Sequence, residues 1–298
     1  MTATVILNRD GGAAAKDPDI AGNVRRALEQ AGVAADIQLI SATDCDACCR
    51  AVVEREDPLL IVGGGDGTIG SAAAALAGTG TALGILPLGT LNHFARDLGI
   101  PSSLDEAAQL IAGGKQRRVD VAELNGRVFI NNSAIGLYPL MVVDREAQQK
   151  RLRRSKRLAM IVASLRTLAR FNHQRLTLTV NDDQTARIDT PLLFVGNNDY
   201  RIDIGAPGQR DRLDDGQLCV LVMRKKTRGG LIAASVRALF NRARPDDMVR
   251  IDGVERLRVA SHRTQIAVAL DGEVVSQSPP LDYRIRKQAL RVIAPPAS

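Results

Sequence analysis

At 298 residues, with 45% hydrophobic and 24% charged side chains, the chain is long enough for two water-soluble domains, each with its own core. Aromatic residues make up only 3% and tryptophan is absent, which argues against a nucleic-acid platform built from stacked rings. The net charge of +7 suits an anionic partner such as a nucleotide or an acidic membrane surface.

In chain order, Thr4–Asn8, Ala35–Ile40, Leu59–Val62 and Leu83–Pro87 are short apolar runs of the kind expected for strands buried on both faces. Helix-length stretches separate them. In the first, Ile20, Val24, Ala27, Leu28 and Ala31 recur at helical spacing and stop at Gly32. This rhythm predicts a parallel α/β layer over about the first 120 residues. Beyond Leu124 the segments RLTLTVN, QLCVLVM, ERLRVAS and TQIAVALDGEV alternate apolar with polar residues or run as short apolar strands between Asp/Gly/Asn turns, which predicts an antiparallel sandwich. Helical patterns interrupt it over Asp144–Arg170 and Gly229–Ala243. No linker of low complexity separates the halves, so a cleft between them is the expected ligand site.

Cys45, Cys48, Cys49 and Cys219 form no disulfide framework, and no secretory segment is read ahead of them. The CDACC trio has zinc-like spacing for one pair but lacks a second pair or a histidine, and reads as small buried helix residues. No apolar run approaches the roughly 20 residues that cross a bilayer. A reduced, cytoplasmic protein is expected.

Two loops carry the chemistry. LLIVGGGDGTIG, Leu59–Gly70, runs an apolar strand into a glycine cluster at the carboxyl edge of the sheet, where open α/β sheets bind ligands. Glycines let main-chain N–H groups approach phosphate oxygens, and the helix expected to begin near Thr68 adds its positive end. The loop is neither a Walker loop nor a Gly-x-Gly-x-x-Gly fingerprint. A tight strand-to-helix turn is the plainer reading, and Asp66 weakens it, because an acid beside phosphate calls for a cation between them. One strand later, LPLGTLNHFARDLGIP places Gly89, Thr90 and Asn92 at the same edge. Two such bends converging point to a nucleotide site far more strongly than one does.

GGGDGT, then PLGTLNHFARDLGIP, VDVAELNGRVFINNSAIG, LDDGQL and LDGE, in that order over nearly the whole chain, resemble the diacylglycerol kinase catalytic-domain family in its bacterial soluble lipid-kinase branch, related to sphingosine kinases. NAD kinases share Gly-Gly-Asp-Gly-Thr, but the PLGTLNHFAR loop is similar to the lipid-kinase version. The resemblance implies a Rossmann-like parallel α/β domain over residues 1–122, a β-sandwich lipid-substrate domain over 123–298, and an active site in the cleft between them. It implies ATP and Mg2+ as cofactors, with nucleotide contacts on Asn8, Ser41, Gly64, Gly65, Asp66, Gly67, Thr68, Ile69, Gly70, Gly89, Thr90 and Asn92. Asp66 and Asp120 would join a carboxylate, water and magnesium network around the phosphates. Arg212, Asp215 and Gln217 would hold a structural magnesium, Arg212 and Gln217 through backbone carbonyls. Asp271 would be the general base, although DGE after a strand is, by itself, a hairpin turn.

The sequence departs from the family pattern at His93, where many relatives carry an acid, at TIGS, where Asn-Glu is frequent, and at NRDGG, where Asn-Pro is frequent. Six cations within Lys150–Arg157 precede Leu158, Ile161, Leu165 and Leu168 at helical spacing. That segment reads either as a core-packed helix with a solvated basic entry or as a helix for peripheral contact with an anionic membrane. The expected activity is phosphorylation of a lipid hydroxyl. A kinase for a soluble alcohol such as NAD and an inactive nucleotide-binding regulator are the alternatives. No nucleic-acid partner is expected, and a homodimer is left open.

Overall fold

The computed structural model describes residues 2–10, 17–136, 173–200, 210–224 and 248–296. The helical patterns over 144–170 and 229–243, and the basic run at 150–157, lie outside the described residues.

The first half alternates β1 (Ala3–Asn8), α1 (Ile20–Gln30), β2 (Ala35–Ile40), α2 (Cys45–Glu54), β3 (Leu59–Gly64), α3 (Asp66–Leu76) and β4 (Ala82–Pro87), then adds α4 (His93–Asp97) and α5 (Leu104–Gly113). The four strands are parallel in the order β2-β1-β3-β4. The apolar runs are buried as their composition demands, with β4 inaccessible along its whole length. On α1 the buried residues are Ile20, Val24, Ala27 and Leu28, and the helix stops at Gly32, whose φ of +81° only glycine adopts without strain. Cys45 and Cys49 are buried on α2 with their sulfurs 4.0 Å apart, as small core residues.

The second half follows as β5 (Gln116–Leu124), β6 (Arg127–Phe129), β7 (Asn132–Gly136), β8 (Gln174–Val180), β9 (Gln184–Thr190), β10 (Leu192–Asn197), β11 (Leu218–Met223), β12 (Met248–Val254), β13 (Arg256–Ala260), β14 (Ile266–Leu270), β15 (Glu273–Gln277) and β16 (Leu281–Ile293). Among the described residues a six-stranded antiparallel sheet runs β12-β11-β10-β7-β14-β15. It packs on β5, β8, β13 and β16 through a core that includes Leu193, Val195 and Val268 on one side and Leu257, Val259 and Tyr283 on the other. This is the expected sandwich.

The two halves nonetheless share one sheet. β16 pairs parallel with β4 at Arg291↔Ala82 and Val292↔Leu83, and antiparallel with both β5 and β13. Along β5 and β16 the packing changes over. Val119, Val121, Leu290 and Val292 join the core of the parallel half, whereas Ala122, Leu124, Leu281 and Tyr283 join the sandwich core. The pairing is irregular between Arg286 and Leu290, with Gln288 at a φ of +51°. Such a bulge bends a long strand, which lets one strand serve two cores.

Candidate active site

The two glycine-lined bends meet. Leu88 N–H donates to Gly64 O at 3.1 Å, and the Gly65 and Gly89 backbones are so close that a Cβ on Gly89 would run into Gly65 Cα. Asp66, the first residue of α3, accepts from His93 N–H and Phe94 N–H, both at 3.1 Å, and so ties the first bend to the start of α4. Asn92, left-handed at a φ of +49°, closes the second bend. Its Oδ1 accepts from Gly89 N–H at 2.9 Å, and its Nδ2 donates to Pro87 O and Gly89 O. Asn8 Nδ2 donates to Thr68 Oγ1 at 2.9 Å, so β1 also supports the first turn of α3. That turn has Gly65 as its cap and no side-chain cap bond. Its leading N–H groups therefore face outward from a helix long enough to carry a useful dipole, as an anion site requires.

Asp271 and Gly272, at φ of +47° and +89°, form the two-residue turn between β14 and β15, with Leu270 paired to Glu273. The hairpin reading and the functional reading thus fall on the same residue. The Asp271 carboxylate is held by three main-chain donors. Oδ2 accepts from Ile130 N–H at 2.9 Å, and Oδ1 accepts from Asn131 N–H at 2.8 Å and Asn132 N–H at 3.0 Å. Burial pushes its pKa up to about 6, against the pull of those three bonds and of Arg210. Oδ2 keeps a free lone pair and lies 3.5 Å from the position a Cβ on Gly70 would take, so the carboxylate faces the first turns of α3. Between them opens a cleft of about 760 Å³, lined by Gly67, Gly70 and Ala74 on the helix side and by Phe129, Leu270 and Asp271 opposite.

Asp120 lies against the RLDDGQ loop. It is 1% exposed, and its two oxygens accept from Gly216 N–H and Gln288 N–H, each at 2.7 Å. Burial raises its pKa despite those bonds. The side chain clasps the RLDDGQ loop to the β16 bulge. In that loop Arg212 Nε lies 3.1 Å from Asp214 Oδ1 and 3.6 Å from Asp215 Oδ1, while Gln217 O accepts from Asn198 N–H at 3.1 Å. No group of three or more His, Cys, Asp or Glu side chains arranged for a metal occurs among the described residues. A magnesium ion would instead draw on the Asp215 carboxylate, carbonyl oxygens and water, a hard oxygen set that fits this ion.

Residues 2–124 match the model of the diacylglycerol kinase catalytic domain, and residues 141–294 match that of the YegS C-terminal NAD kinase beta sandwich-like domain. The chain belongs to this family. It is 49% identical over 92 residues to a probable lipid kinase, YegS-like, of Enterobacter sp. (strain 638), and 47% identical over 81 residues to one of Citrobacter koseri. These alignments cover 30% and 26% of this chain and only 29% and 27% of the relatives' lengths. Across the whole chain it is similar to the crystal structure of a candidate diacylglycerol kinase from Bacillus anthracis str. Sterne, with a TM-score of 0.76, 26% identity, and coverage of 100% of this chain and 98% of that one.

Against the family's pattern, the structure brings Asn8, the Gly64–Gly70 bend, Gly89 and Asn92 into one bonded assembly. Ile69 turns its side chain wholly into the core, leaving only its backbone to the bend. Thr90 is exposed beside Gly89. Ser41 bonds Thr43 and Asp44 at the end of β2, next to the turn where Ala42 N–H donates to Asp10. His93 gives its N–H to Asp66, and its Nδ1 lies 2.9 Å from Arg96, so the departure from an acid yields a hydrogen-bonding residue at the start of α4. Sequence reading missed Asp97, Arg210 and Asn131. Arg210 Nε donates to Asp97 at 2.8 Å with the side chains 0% and 2% exposed, and nothing in GQRDRL marks a buried arginine.

Gly70 offers a clean probe of the cleft. Its substitution by Ala adds a Cβ in ordinary contact range of Asp271 and Ile130, within a helix. Gly70→Ala is expected to stabilise the protein by about 0.5–1 kcal/mol through helix propensity. Transfer activity is expected to fall as the new methyl covers Oδ2. Chemical denaturation and initial rates on the same preparation check both.

Proposed function

We propose that the protein catalyses ATP- and magnesium-dependent phosphorylation of a hydroxyl group on a lipid, with Asp271 as general base. The observation that carries this is the Asp271 carboxylate facing the first turns of α3 across the cleft. In this reading residues 1–122 bind the nucleotide and residues 123–298 take the lipid. The outward N–H groups at the start of α3 bind the terminal phosphates, and Gly89 and Asn92 close the other side. Asp66, at the start of α3, would hold a magnesium ion through water, and that ion would neutralise phosphate charge. Asp120 is assigned to the clasp that sets the Arg212–Gln217 loop.

Phosphoryl transfer passes through a loose transition state, so orientation of the acceptor and of the charges around phosphorus does most of the work. The acceptor hydroxyl would donate to Asp271 Oδ2, whose remaining lone pair points into the cleft. The carboxylate then takes the proton late, as the bond to phosphorus forms. Ala74, Val128, Phe129 and Leu270 give the cleft an apolar side suited to acyl chain. No described helix is long and apolar enough to cross a membrane. The test is incubation of the purified protein with labelled ATP, Mg2+ and mixed lipid vesicles, in parallel with soluble alcohols including NAD. Label is expected in the organic-soluble fraction. Label confined to a soluble acceptor would replace this reading with that of a soluble-alcohol kinase.

A further inference from the structure

Between the two bends and Asp271 lies a buried charged group to which neither the family comparison nor the mechanism above gives a role. Arg210 donates from Nε to Asp97 Oδ2 at 2.8 Å, from Nη1 to Ile130 O at 2.6 Å and Asn197 O at 3.2 Å, and from Nη2 to Asn131 Oδ1 at 2.9 Å. Its guanidinium also lies 5.8 Å from the Phe94 ring centroid and 5.0 Å from that of Tyr200. Four of these partners, Asp97, Phe94, Ile130 and Asn131, belong to the elements that build the site. Asp97 and Phe94 belong to α4, whose leading N–H groups are taken by Asp66 of the first bend. Ile130, Asn131 and Asn132 supply the three N–H groups that hold Asp271.

We infer that Arg210 is a positioning residue for phosphoryl transfer, setting the peptide plane that aims Asp271 and referencing it, through Asp97 and α4, to the bend that holds the nucleotide. The geometry is specific. Ile130 C=O and Asn131 N–H are the two ends of one peptide group, which is planar. Arg210 and Asn197 Nδ2 bond the carbonyl end, and Asp271 Oδ1 bonds the amide end. Fixing the carbonyl therefore fixes the direction of the N–H, and a charge-assisted bond at the oxygen strengthens the donor at the nitrogen. Asn197 adds a second tie, its own N–H donating to Asn131 O at 2.9 Å. A lysine at 210 could satisfy Asp97 but could not reach both Ile130 O and Asn131 Oδ1, because it lacks the planar fork.

The inference rests on the kinase reading, and the experiment separates the two. Arg210→Lys and the paired replacement Asp97→Leu/Arg210→Met are assayed with wild type for lipid phosphorylation and for binding of a non-hydrolysable ATP analogue. The paired replacement removes both charges, since an apolar pair of similar volume is tolerated where a single buried charge is not. Both proteins are expected to bind the analogue with affinity within about twofold of wild type. Their kcat is expected to fall about 10²-fold with the KM for ATP unchanged, as a small misplacement of a reacting group does. Arg210→Lys alone decides the matter if the paired protein does not fold. A kcat within about twofold of wild type in a folded variant, or a rise in KM at constant kcat, would overturn the inference while leaving the kinase reading intact. A wild-type protein that labels neither lipid nor soluble alcohol fails the kinase reading itself and takes this inference with it.

Discussion

Replacing Asp271 by Asn is expected to lower kcat for phosphoryl transfer by about 10²–10⁴-fold, the usual contribution of a positioned general base, while affinity for ATP is unchanged. Shape is nearly conserved in the variant. The amide oxygen keeps the bonds from Asn131 and Asn132 N–H, but the amide nitrogen then faces Ile130 N–H, so one donor bond is exchanged for a donor–donor contact. The variant also lacks the carboxylate oxygen proposed above to take the substrate proton. With the pKa pushed up to about 6 by burial, the wild-type rate should rise with pH through that value and level off above it. At pH 5 it should stand about tenfold below its plateau. A rate–pH profile checks this, and a flat acid limb in the wild type would remove Asp271 from the role of base.

The same shift acts on stability with a definite sign. A carboxyl whose folded pKa lies above its unfolded value favours folding while protonated, and that benefit is lost as pH rises from about 4 through about 6. Holding Asp271 ionised at neutral pH therefore costs the fold on the order of 2–3 kcal/mol. Urea titrations at pH 5 and pH 7.5 should show this group's share of the pH dependence in the wild type and not in Asp271→Asn.

The second large effect is expected at the junction of the bends. In Gly89→Ala the new Cβ meets Gly65 Cα and Asn92 Oδ1, and neither can move without opening the bend. Overpacking of this kind costs about 1–3 kcal/mol, and the separated bends should bind ATP at least tenfold more weakly. Gly67→Ala is the matched control, since a Cβ there meets nothing within 4 Å of the protein. It should not lower stability, since it too replaces a glycine within α3, yet it should still weaken ATP binding, because the methyl would occupy the space proposed for phosphate. Calorimetric titration with ATP, alongside denaturation, separates the two. Equal ATP affinity in Gly67→Ala and wild type would place the phosphates elsewhere.

The strands of the parallel half could be read from sequence because burial on both faces leaves an uninterrupted apolar run, and the observed bounds differ from the expected ones by two residues at most. The convergence of the two bends was legible for the same reason, since consecutive parallel strands must end at one edge. Helix α3 begins at Asp66, two residues before its expected start, because the acid itself opens the first turn. The role of β16 was not legible. Its basic residues Arg284, Arg286 and Lys287 interrupt the apolar pattern, and the change of core partway along follows from a bulge that no local signal announces. Arg210 and Asp97 escaped notice for a related reason: a buried ion pair 113 residues apart looks in sequence like two surface charges.

The parallel half reaches its final form only through β16. Leu290, Val292 and Ala294 are part of its core, and β16 covers the open edge of β4. During synthesis the ribosome delivers the glycine bends long before it delivers those residues. Until then the nascent parallel half lacks the strand that pairs with β4 and part of its core. A fragment cut at residue 124 would inherit that condition permanently, so the molecule matures as a single unit despite carrying two recognisable modules.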